Sequence, residues 1–503
     1  MQHNKYILAI DQGTSSTKSI VFDDRGRAIA KGTEPLKSYF YDGGLVEQDP
    51  EEIFQNVLVS VEKCVKDFIT KGGDVSDIKA CGISNQRETF VVWNNEGKPL
   101  YNAVVWQCKR SVQFCEWLKS DGLEELIREK TGLIVDPYFS GTKLMWLNEN
   151  VDEVHKAILN GTAYFGTIDT WLLYKLTNGK EYYTDYSNAS RTLFFNLHTL
   201  QWDHELLEEF GLKGINLPEI KPSSSLFGET NLAGIINHNI PVTALIGDSH
   251  AAAFGEGCFE TGSAKATLGT GCSILMNIGS KPVRSENGMM TTICWSTEDR
   301  VDFALEGVIV SCGSTIEWLK NELNLFDDSK ETEAMAIAVA NSSGVYFLPA
   351  FSGLASPYWQ MERRASVSGM SFGTTKNHIV RAALESIPYQ INDVITAMEK
   401  DAGTQLKEIK INGGMTSNQF VMQFIADLLD KSIKSVDVYD VSALGAAYLA
   451  GLKVGVFESL EAIKKLNIYT KTYQPGNGRI AAHEGYKGWE LEVQNYKSTS
   501  ANR

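Results

Sequence analysis

One local pattern occurs twice in the 503-residue chain: an apolar strand, a turn rich in Gly, Thr or Ser, and a second strand. It first covers residues 6–22, with its turn at residues 11–16, and then residues 264–276, with its turn at residues 269–271. Alternating strand and helix patterns follow each copy, which is typical of α/β domains. The chain is therefore predicted to run one α/β plan twice, with a boundary near residues 250–260.

Length and composition agree with two domains. A chain of 503 residues is too long for one hydrophobic core, and 43% hydrophobic with 22% charged residues is ordinary globular composition. No low-complexity linker separates the halves, so they are expected to share a large interface with a cleft. We predict an N-terminal domain at residues 1–254 and a C-terminal domain at residues 255–503, with a cleft between them.

The charge balance limits the classes of partner. The formal net charge is −15, from 47 Lys and Arg against 62 Asp and Glu. This sign disfavours nucleic acid and anionic membranes, which bind basic surfaces. If the ligand is a nucleotide, backbone N–H groups, a few cations and a metal ion must hold its phosphates. No apolar stretch is long enough to predict a membrane span, and no signal peptide is evident.

Cysteine usage predicts the compartment. None of the eight cysteines forms a CxxC pair or a zinc-ligand cluster, and most lie in apolar runs. Buried, reduced thiols are expected, which favours a cytoplasmic protein.

Several elements can be predicted with their ends. Asp49 is expected to be the N-cap of a helix that begins at Pro50, with Glu52 as capping-box partner and Gly72-Gly73 as its stop. Strands are expected at residues 78–83, 89–93 and 103–106. Helices are expected at residues 377–402, 417–429 and 442–454. Pro388 is predicted to kink the first of these helices or to end its first part.

Taken alone, the two glycine-containing tips have two interpretations. Gly lets backbone N–H groups approach phosphate oxygens, and Thr or Ser hydroxyls add donors. Turn-residue preferences alone favour an ordinary tight turn at each tip, and the P-loop pattern GxxxxGK[ST] is absent. An equivalent tip in each half favours nucleotide binding.

Four charged residues also have alternatives. Asp248 follows Gly247 and suits either a general base or the N-cap of a helix. Asp11 ends an apolar strand, where a charge requires a partner, and it suits either such a pairing or an Asx-turn onto Gly13. Arg87 and Glu88 can bind a vicinal diol together only at a strand end or bulge, and are otherwise a surface pair.

Several blocks in order resemble the FGGY family of carbohydrate kinases, most closely its glycerol kinase branch. The resemblance is collinear from about residue 5 to residue 455, and residues 138–146 and 365–385 look like the two FGGY signatures. The other blocks are residues 11–16 (DQGTSS), 85–89 (NQRET), 106–108 (WQC), 136–143 (DPYFSGTK), 185–192 (DYSNASRT) and 268–272 (LGTGC).

The resemblance implies a fold and an activity. The fold would be α/β, with two ribonuclease-H-like (actin-like ATPase) domains and the active site in the cleft between them. The activity would be ATP-dependent phosphorylation of a terminal hydroxyl of a small polyol, most simply glycerol to glycerol 3-phosphate, with ATP and Mg²⁺ required. The partners would be these small molecules and further copies of the chain, in a dimer or tetramer.

The resemblance also implies residue roles. Asp248 would be the catalytic base and a polyol contact, and Asp11 would hold Mg²⁺ mostly through water. Further polyol contacts would be Arg87, Glu88, Trp106, Tyr138, Ser249 and Ser273. Nucleotide contacts would be Thr14, Ser15, Ser16, Lys18, Gly269, Thr270, Gly313, Gly414 and Asn418.

The chain departs from the glycerol kinase pattern beside the expected polyol pocket. Ser249-His250 replaces two glutamines after the catalytic Asp, and Ser273 replaces a Phe. Shorter, more polar side chains predict a roomier and better hydrated pocket that accepts a four- or five-carbon polyol. Lys18 replaces an Arg, and Gln360 and Asn412 each replace an Asp, with no functional meaning assigned to the last two.

Two competing functions remain open from the sequence. The first is another kinase of the same family, for erythritol, threitol, xylulose or ribulose. The second is an ATP-binding regulator on the actin-like fold. Such a regulator requires a partner-binding domain and has no use for a diol clamp, and ADP release that does not depend on polyol would favour it.

Overall fold

A computed structural model describes residues 5–435, 440–466, 469 and 471–500, without the side chains of 496–500. In these residues the strands are β1 (Tyr6–Gln12), β2 (Ser16–Asp23), β3 (Ala28–Pro35), β4 (Tyr39–Tyr41), β5 (Leu45–Gln48), β6 (Ile78–Asn85), β7 (Phe90–Trp93), β8 (Ala103–Val104), β9 (Tyr164–Thr167), β10 (Tyr183–Asp185), β11 (Phe195–Asn196), β12 (Gln201–Trp202), β13 (Glu219–Lys221), β14 (Ser224–Thr230), β15 (Ile240–Gly247), β16 (Ser263–Leu268), β17 (Cys272–Gly279), β18 (Met290–Thr297), β19 (Arg300–Ile309), β20 (Tyr346–Leu348), β21 (Ser366–Ser368), β22 (Glu408–Asn412), β23 (Ile433–Ser435) and β24 (Lys471–Tyr473).

The α-helices of the same residues alternate with these strands. They are α1 (Pro50–Thr70), α2 (Val112–Ser120), α3 (Glu124–Thr131), α4 (Ser140–Asn150), α5 (Asp152–Leu159), α6 (Ile168–Leu176), α7 (Tyr186–Ala189), α8 (His204–Glu209), α9 (Asp248–Gly255), α10 (Gly313–Asn321), α11 (Glu331–Ile337), α12 (Lys376–Ala402), α13 (Gln419–Leu429), α14 (Val441–Lys453), α15 (Leu460–Leu466) and α16 (Arg479–Ser500).

The two halves share one strand order. In the first half the strands lie in the order β3-β2-β1-β6-β15, with β1 and β2 antiparallel and β6 and β15 parallel to β1. In the second half the order β19-β17-β16-β22-β23 has the same directions. Counted along the chain, both are 3-2-1-4-5. The prediction of one plan used twice is confirmed at the level of topology.

The halves are joined edge to edge. Strand β14 pairs with β15 and β18 pairs with β19, and a bridge between Ser224 and Thr297 connects β14 to β18. In the described residues this makes one sheet of thirteen strands, from β24 at one edge to β3 at the other. The parallel strands of both halves therefore belong to one continuous sheet.

Helices α9 and α14 cross where the halves meet. A Cβ added to Gly445 of α14 would lie 1.8 Å from the carbonyl oxygen of Ala251, and one added to Gly255 of α9 would lie 2.7 Å from that of Val441. Only hydrogen at Cα permits this approach of the two backbones. The Oγ of Ser442 donates to the carbonyl of Asp248 at 3.0 Å, which ties the start of α14 to the start of α9.

The local predictions had mixed outcomes. Helix α1 begins at Pro50 and ends before Gly72, and Asp49 caps it by accepting from Glu51 N and Glu52 N. The capping box is wrong, because Glu52 Oε1 accepts instead from Lys37 N at 3.3 Å. Of the two outcomes expected at Pro388, an end of the helix segment is wrong, because α12 continues from Lys376 to Ala402, and a kink stays a prediction.

None of the helices in the described residues combines the length and the apolar character that crossing a bilayer requires.

Candidate active site

The candidate site lies where parallel strands end. Register pairs Asp11 of β1 with Ser84 of β6, and Asn85 of β6 with Gly247 of β15. Asp11, Arg87 and Asp248 therefore lie at the carboxyl ends of three adjacent parallel strands. In open α/β sheets this edge is where ligands bind.

A sharp turn explains how Arg87 and Glu88 share one site. Strand β6 ends at Asn85, Glu88 has a positive φ of 60°, and Thr89 N donates to Arg87 O at 2.7 Å. Adjacent residues are thus released from the alternation of a strand. The surface-pair alternative is wrong, because both side chains are buried.

Four buried charges surround this turn. Arg87 donates to both oxygens of Glu306, at 2.9 and 3.2 Å. Arg191 donates from Nε to Glu88 at 2.6 Å, and its Nη1 lies 2.6 Å from Glu306. Two cations and two carboxylates balance one another, as buried charges require.

The carboxylates of this cluster have opposite pKa shifts. Burial alone would raise the pKa of Glu306, but Arg191 and Arg87 more than offset it and hold that pKa well below its usual range. Burial raises the pKa of Glu88, and Arg191 and Arg87 offset only part of that shift. Glu306 is therefore held in its ionised form, and Glu88 is the more easily protonated of the two carboxylates.

Asp248 is the first residue of α9 and faces open space. Its side chain is 38% exposed, and its Oδ1 lies 3.4 Å from Arg87 Nε and accepts from Ser249 N at 2.6 Å. The N-cap alternative is wrong, because Gly247 occupies that position. An exposed carboxylate beside a buried guanidinium can accept a proton from a bound hydroxyl.

Two aromatic rings flank the Arg87–Glu88 turn. The ring centroids of Trp106 and Tyr138 are 5.5 Å apart, with their planes at 67°. Trp106 Nε1 donates to Thr14 Oγ1 at 2.9 Å, which links this ring to the first glycine-containing tip. Arg191 lies 5.8 Å from the Tyr138 ring centroid and ties that ring to the charge cluster.

A chain of hydrogen bonds joins the serines that depart from the resemblance. The ammonium of Lys265, a fully buried residue of β16, donates to Ser249 Oγ at 2.8 Å. Ser249 Oγ lies 3.2 Å from Ser273 Oγ, and Ser273 Oγ lies 3.4 Å from Glu306 Oε1. An ammonium only donates and an ionised carboxylate only accepts, so the chain runs from Lys265 to Glu306.

His250 packs behind the pocket wall and is not exposed to the pocket. It is fully buried, its Nε2 lies 3.5 Å from Thr292 Oγ1, and burial, with Arg87 adding to the effect, lowers its pKa well below the usual value. It is therefore a neutral ring that fills space next to Arg87.

The first tip is a closed turn between β1 and β2. Gly13 N donates to Ser16 O at 3.0 Å, so the Asx-turn alternative for Asp11 is wrong. Thr14 accepts through its carbonyl from Gln48, and Leu36 N donates to Ser15 O at 2.9 Å. Lys18 forms an ion pair with Asp440 at 3.0 Å, so its cation is shared with a carboxylate in this structure.

The second tip packs against the start of α10. Cys312 N and Ser314 N donate to Thr270 O, and Gly313 N donates to Gly269 O at 3.0 Å. A Cβ at Gly313 would lie 2.7 Å from Gly269 O, so glycine is required for this contact. The tip and the helix start form one backbone surface with small side chains.

Gly414 and Asn418 lie on the turn after β22. A Cβ at Gly414 would meet no atom within 4 Å, which leaves open space beside this backbone. Asn418 caps α13 by accepting from Val421 N at 3.1 Å and donates to Thr332 at 3.2 Å. Gly414 is thus accessible to a ligand, while the Asn418 amide is largely engaged within the protein.

Asp11 has the chemistry of a cation site. One of its oxygens accepts from Ser84, and burial raises its pKa to about 6, with Asp248 and Asp440 adding to the shift and Ser84 and Lys18 opposing it. Mg²⁺ commonly uses one or two carboxylates and completes its shell with water and phosphate oxygens. A single Asp in a negative potential fits that donor set, and no cluster of three such ligands occurs in the described part of the chain.

Sequence reasoning missed four charged residues of this site. Lys265 and Glu306 lie inside apolar strands, Arg191 follows a short helix, and Lys143 lies in α4. A charge inside a buried strand is costly unless it is paired, so the Lys in 264–266 and the Glu in 304–308 were available signals.

Comparison with known proteins identifies the family. Residues 6–255 match the N-terminal domain model of the FGGY family of carbohydrate kinases, and residues 264–454 match its C-terminal domain model. The glycerol kinase of Thermoanaerobacter sp. (strain X514) is 46% identical over 492 residues, covering 97% of this chain and 98% of that protein. The glycerol kinase of Bacillus anthracis is 44% identical over 495 residues, covering 98% and 99%.

A solved structure agrees with these relatives. The Plasmodium falciparum glycerol kinase, crystallised with ADP, superposes with a TM-score of 0.92 at 37% identity, covering 98% of both chains. The predicted fold class is confirmed: an α/β fold of two actin-like ATPase units. This chain belongs to the FGGY family of carbohydrate kinases.

Proposed function

We propose that this kinase transfers the γ-phosphoryl group of ATP to a terminal hydroxyl of glycerol and forms glycerol 3-phosphate. The observation that carries the proposal is the grouping of the Arg87–Glu88 turn with the exposed carboxylate of Asp248 at one sheet edge. Relatives named glycerol kinase, 44–46% identical over nearly the whole chain, support the choice of glycerol.

The Arg87–Glu88 turn and the two aromatic rings bind the substrate. The guanidinium of Arg87 donates to glycerol hydroxyls while Glu88 accepts from one of them, which suits a vicinal diol. Trp106 and Tyr138 cover the carbon backbone, and Ser249 and Ser273 line the remaining wall. The paired charges keep Arg87 fixed before the substrate arrives, so little ordering is required on binding.

The chemical step requires a base because a primary alcohol is a poor nucleophile near neutral pH. Asp248 accepts the proton of the terminal hydroxyl as its oxygen attacks the γ-phosphorus in line with the leaving ADP oxygen. Arg87 Nε, 3.4 Å from Asp248, holds the carboxylate in place. Domain closure would exclude water from the cleft.

The nucleotide is assigned to the two glycine-containing tips. Backbone N–H groups and hydroxyls at Thr14, Ser15, Ser16, Gly269 and Thr270 would hold phosphate oxygens, with Lys18 as a nearby cation. The nucleoside would lie against the surface formed by Gly313, Gly414 and Asn418. Mg²⁺, held near Asp11 largely through water, would neutralise charge on the transferring phosphate.

Three wider assignments accompany this function. We propose a division at residue 254/255, a homo-oligomeric dimer or tetramer, and a cytoplasmic location. The eight cysteines are all buried and unpaired, which supports a reducing compartment.

The test is a product assay on the purified chain. Mg-ATP with glycerol should give ADP and glycerol 3-phosphate in equal amounts. Without glycerol, ADP release should be slower by roughly tenfold or more, because a site that closes on both substrates transfers little phosphate to water. ADP release that is unchanged by any polyol would refute the proposal and favour the ATP-binding regulator.

A longer polyol is the second candidate, favoured by one observation. The Ser249 and Ser273 hydroxyls contact each other at 3.2 Å on the pocket wall. In the directional chain from Lys265 to Glu306, both serine hydrogens are used, so each oxygen offers a remaining lone pair. Such a wall accepts a hydrogen bond from an additional hydroxyl, as in erythritol or threitol.

Comparing kcat/KM for glycerol, erythritol, threitol, xylitol and ribitol decides between these candidates. A four- or five-carbon preference that falls on Ser273→Ala would support the second candidate. Clear glycerol preference in the wild type would remove it and leave the first.

A further inference from the structure

Lys143 lies behind the two aromatic rings of the candidate pocket and has no role in the proposed chemistry. The residue is on α4 and is fully buried. Its ammonium donates to Tyr138 O at 2.7 Å, to Trp106 O at 3.2 Å and to Val105 O at 3.5 Å. All its hydrogen-bond partners in the described residues are therefore main-chain carbonyls.

These carbonyls belong to two segments that are distant in sequence. Trp106 is 37 residues from Lys143 and follows β8, whereas Tyr138 is only 5 residues away and precedes α4. The two closer carbonyls belong to Tyr138 and Trp106, whose rings flank the pocket with their centroids 5.5 Å apart. One ammonium group therefore joins the backbones that carry both rings.

We infer that Lys143 is a positioning residue whose protonated ammonium sets the spacing of Trp106 and Tyr138 and thereby the affinity for the polyol. An ammonium has three N–H donors, which matches three carbonyl acceptors. A neutral amine has two donors and a lone pair, so one carbonyl would lose its partner and face that lone pair. The two segments would then separate or rotate, and the rings would fit the substrate less closely.

The surroundings of Lys143 bring the loss of this proton into a pH range in which the protein can be assayed. Burial lowers its pKa to about 8. The charged and titratable groups that face it are Glu88, Cys108 and Asp136, which favour the cation, and Arg110, which disfavours it. In the described residues the hydrogen bonds of the ammonium go to main-chain oxygens and not to these side chains.

The inference rests on the proposed function, since it requires that a polyol binds beside these rings. The test measures the polyol KM, the ATP KM and kcat from pH 7 to pH 9.5, together with the polyol Kd by calorimetry without ATP. The variants are Lys143→Met, which is neutral and of similar length, and Lys143→Arg, which keeps its charge over the whole range. Lys156→Met, with a side chain 73% exposed on α5, is the matched control.

The expected pattern distinguishes a residue that positions the two rings from one that only stabilises the fold. In the wild type the polyol KM and Kd should rise about three- to tenfold between pH 7 and pH 9.5, because binding is linked to one proton. Lys143→Met should have a raised polyol KM at pH 7, by roughly tenfold, and should lose the pH dependence, with kcat and ATP KM changed far less. Lys143→Arg should also lose the pH dependence but bind polyol more tightly than Lys143→Met.

Several results would overturn the inference. A flat polyol KM and Kd in the wild type across this range would do so by itself, even if neither variant folds. An unchanged pH dependence in Lys143→Met would also do so. Failure of the proposed function looks different, because the wild type would then show no polyol-dependent ADP release at any pH.

Discussion

The guanidinium of Arg87 donates to both carboxylate oxygens of Glu306, although 219 residues separate the two in sequence. Arg87 follows β6 in the first half of the chain, and Glu306 lies on β19 in the second half. Arg191 Nη1 lies 2.6 Å from the same carboxylate. The group proposed to hold the polyol is thus fixed by a residue of the opposite half.

Replacing Glu306 by Gln should weaken both the pocket and the fold. The amide keeps one acceptor but presents N–H donors to two guanidinium groups, and removing one partner of a buried ion pair costs about 3–5 kcal/mol. The polyol KM should rise at least tenfold by rough estimate, and Tm should fall by several degrees. Steady-state kinetics and thermal unfolding measure the two effects.

The control for this variant is Glu62→Gln on α1. Glu62 pairs with Lys66 on an exposed helix surface, where ion pairs contribute little. The control should retain wild-type kinetics and Tm. Equal behaviour of Glu306→Gln and this control would contradict the role assigned to the charge cluster.

Gly445→Ala should disturb the crossing of α9 and α14. The added methyl would lie 1.8 Å from the Ala251 carbonyl, so the helices must separate. Because α9 begins at Asp248, we expect a lower kcat as well as a lower Tm. Gly373→Ala is the matched control, since its Cβ would meet only Ser371 Oγ at 3.7 Å. A Gly445→Ala variant with normal Tm and kcat would be inconsistent with this packing.

The pH dependence of stability should reflect Asp393 on α12. Tyr486 and Trp489 of α16 donate to its carboxylate at 2.6 and 2.9 Å, and burial raises its pKa to about 6, with these donors offsetting part of the shift. A pKa raised above the unfolded value of about 3.9 stabilises the fold at low pH, and that contribution is lost as the pH rises through 6.

Asp393→Asn should remove this dependence. Between pH 4 and pH 7 the wild type should lose up to about 3 kcal/mol of unfolding free energy relative to the variant. Denaturant unfolding of both proteins at several pH values measures the difference. A difference between the two proteins that does not change with pH would show that Asp393 titrates normally.

The repeat of one α/β plan could be predicted because it depends on local signals. Apolar runs followed by Gly and Thr at residues 11–16 and 269–271 mark the ends of strands in both halves. Asp49 and Pro50 likewise marked the start of α1. An end at Pro388, one of the two outcomes expected there, does not occur because α12 is held by extensive burial on both sides of the proline, which outweighs its local preference.

The candidate site was only half predictable. Asp248, Arg87 and Glu88 lie in motifs that resemble a family, and the positive φ of Glu88 explains how neighbours can serve one ligand. Glu306 and Lys265 were missed because their partners are distant in sequence and their strands are otherwise apolar. Such pairings depend on the tertiary structure, which no local pattern records.

The most direct test of the account is the turnover of Asp248→Asn. Asparagine keeps the size of the side chain but cannot take a proton from the hydroxyl. With glycerol and Mg-ATP, kcat should fall by at least ~10²-fold, while ATP affinity measured by equilibrium binding stays within about threefold of the wild type. Turnover close to that of the wild type would contradict the assignment of Asp248 as the base.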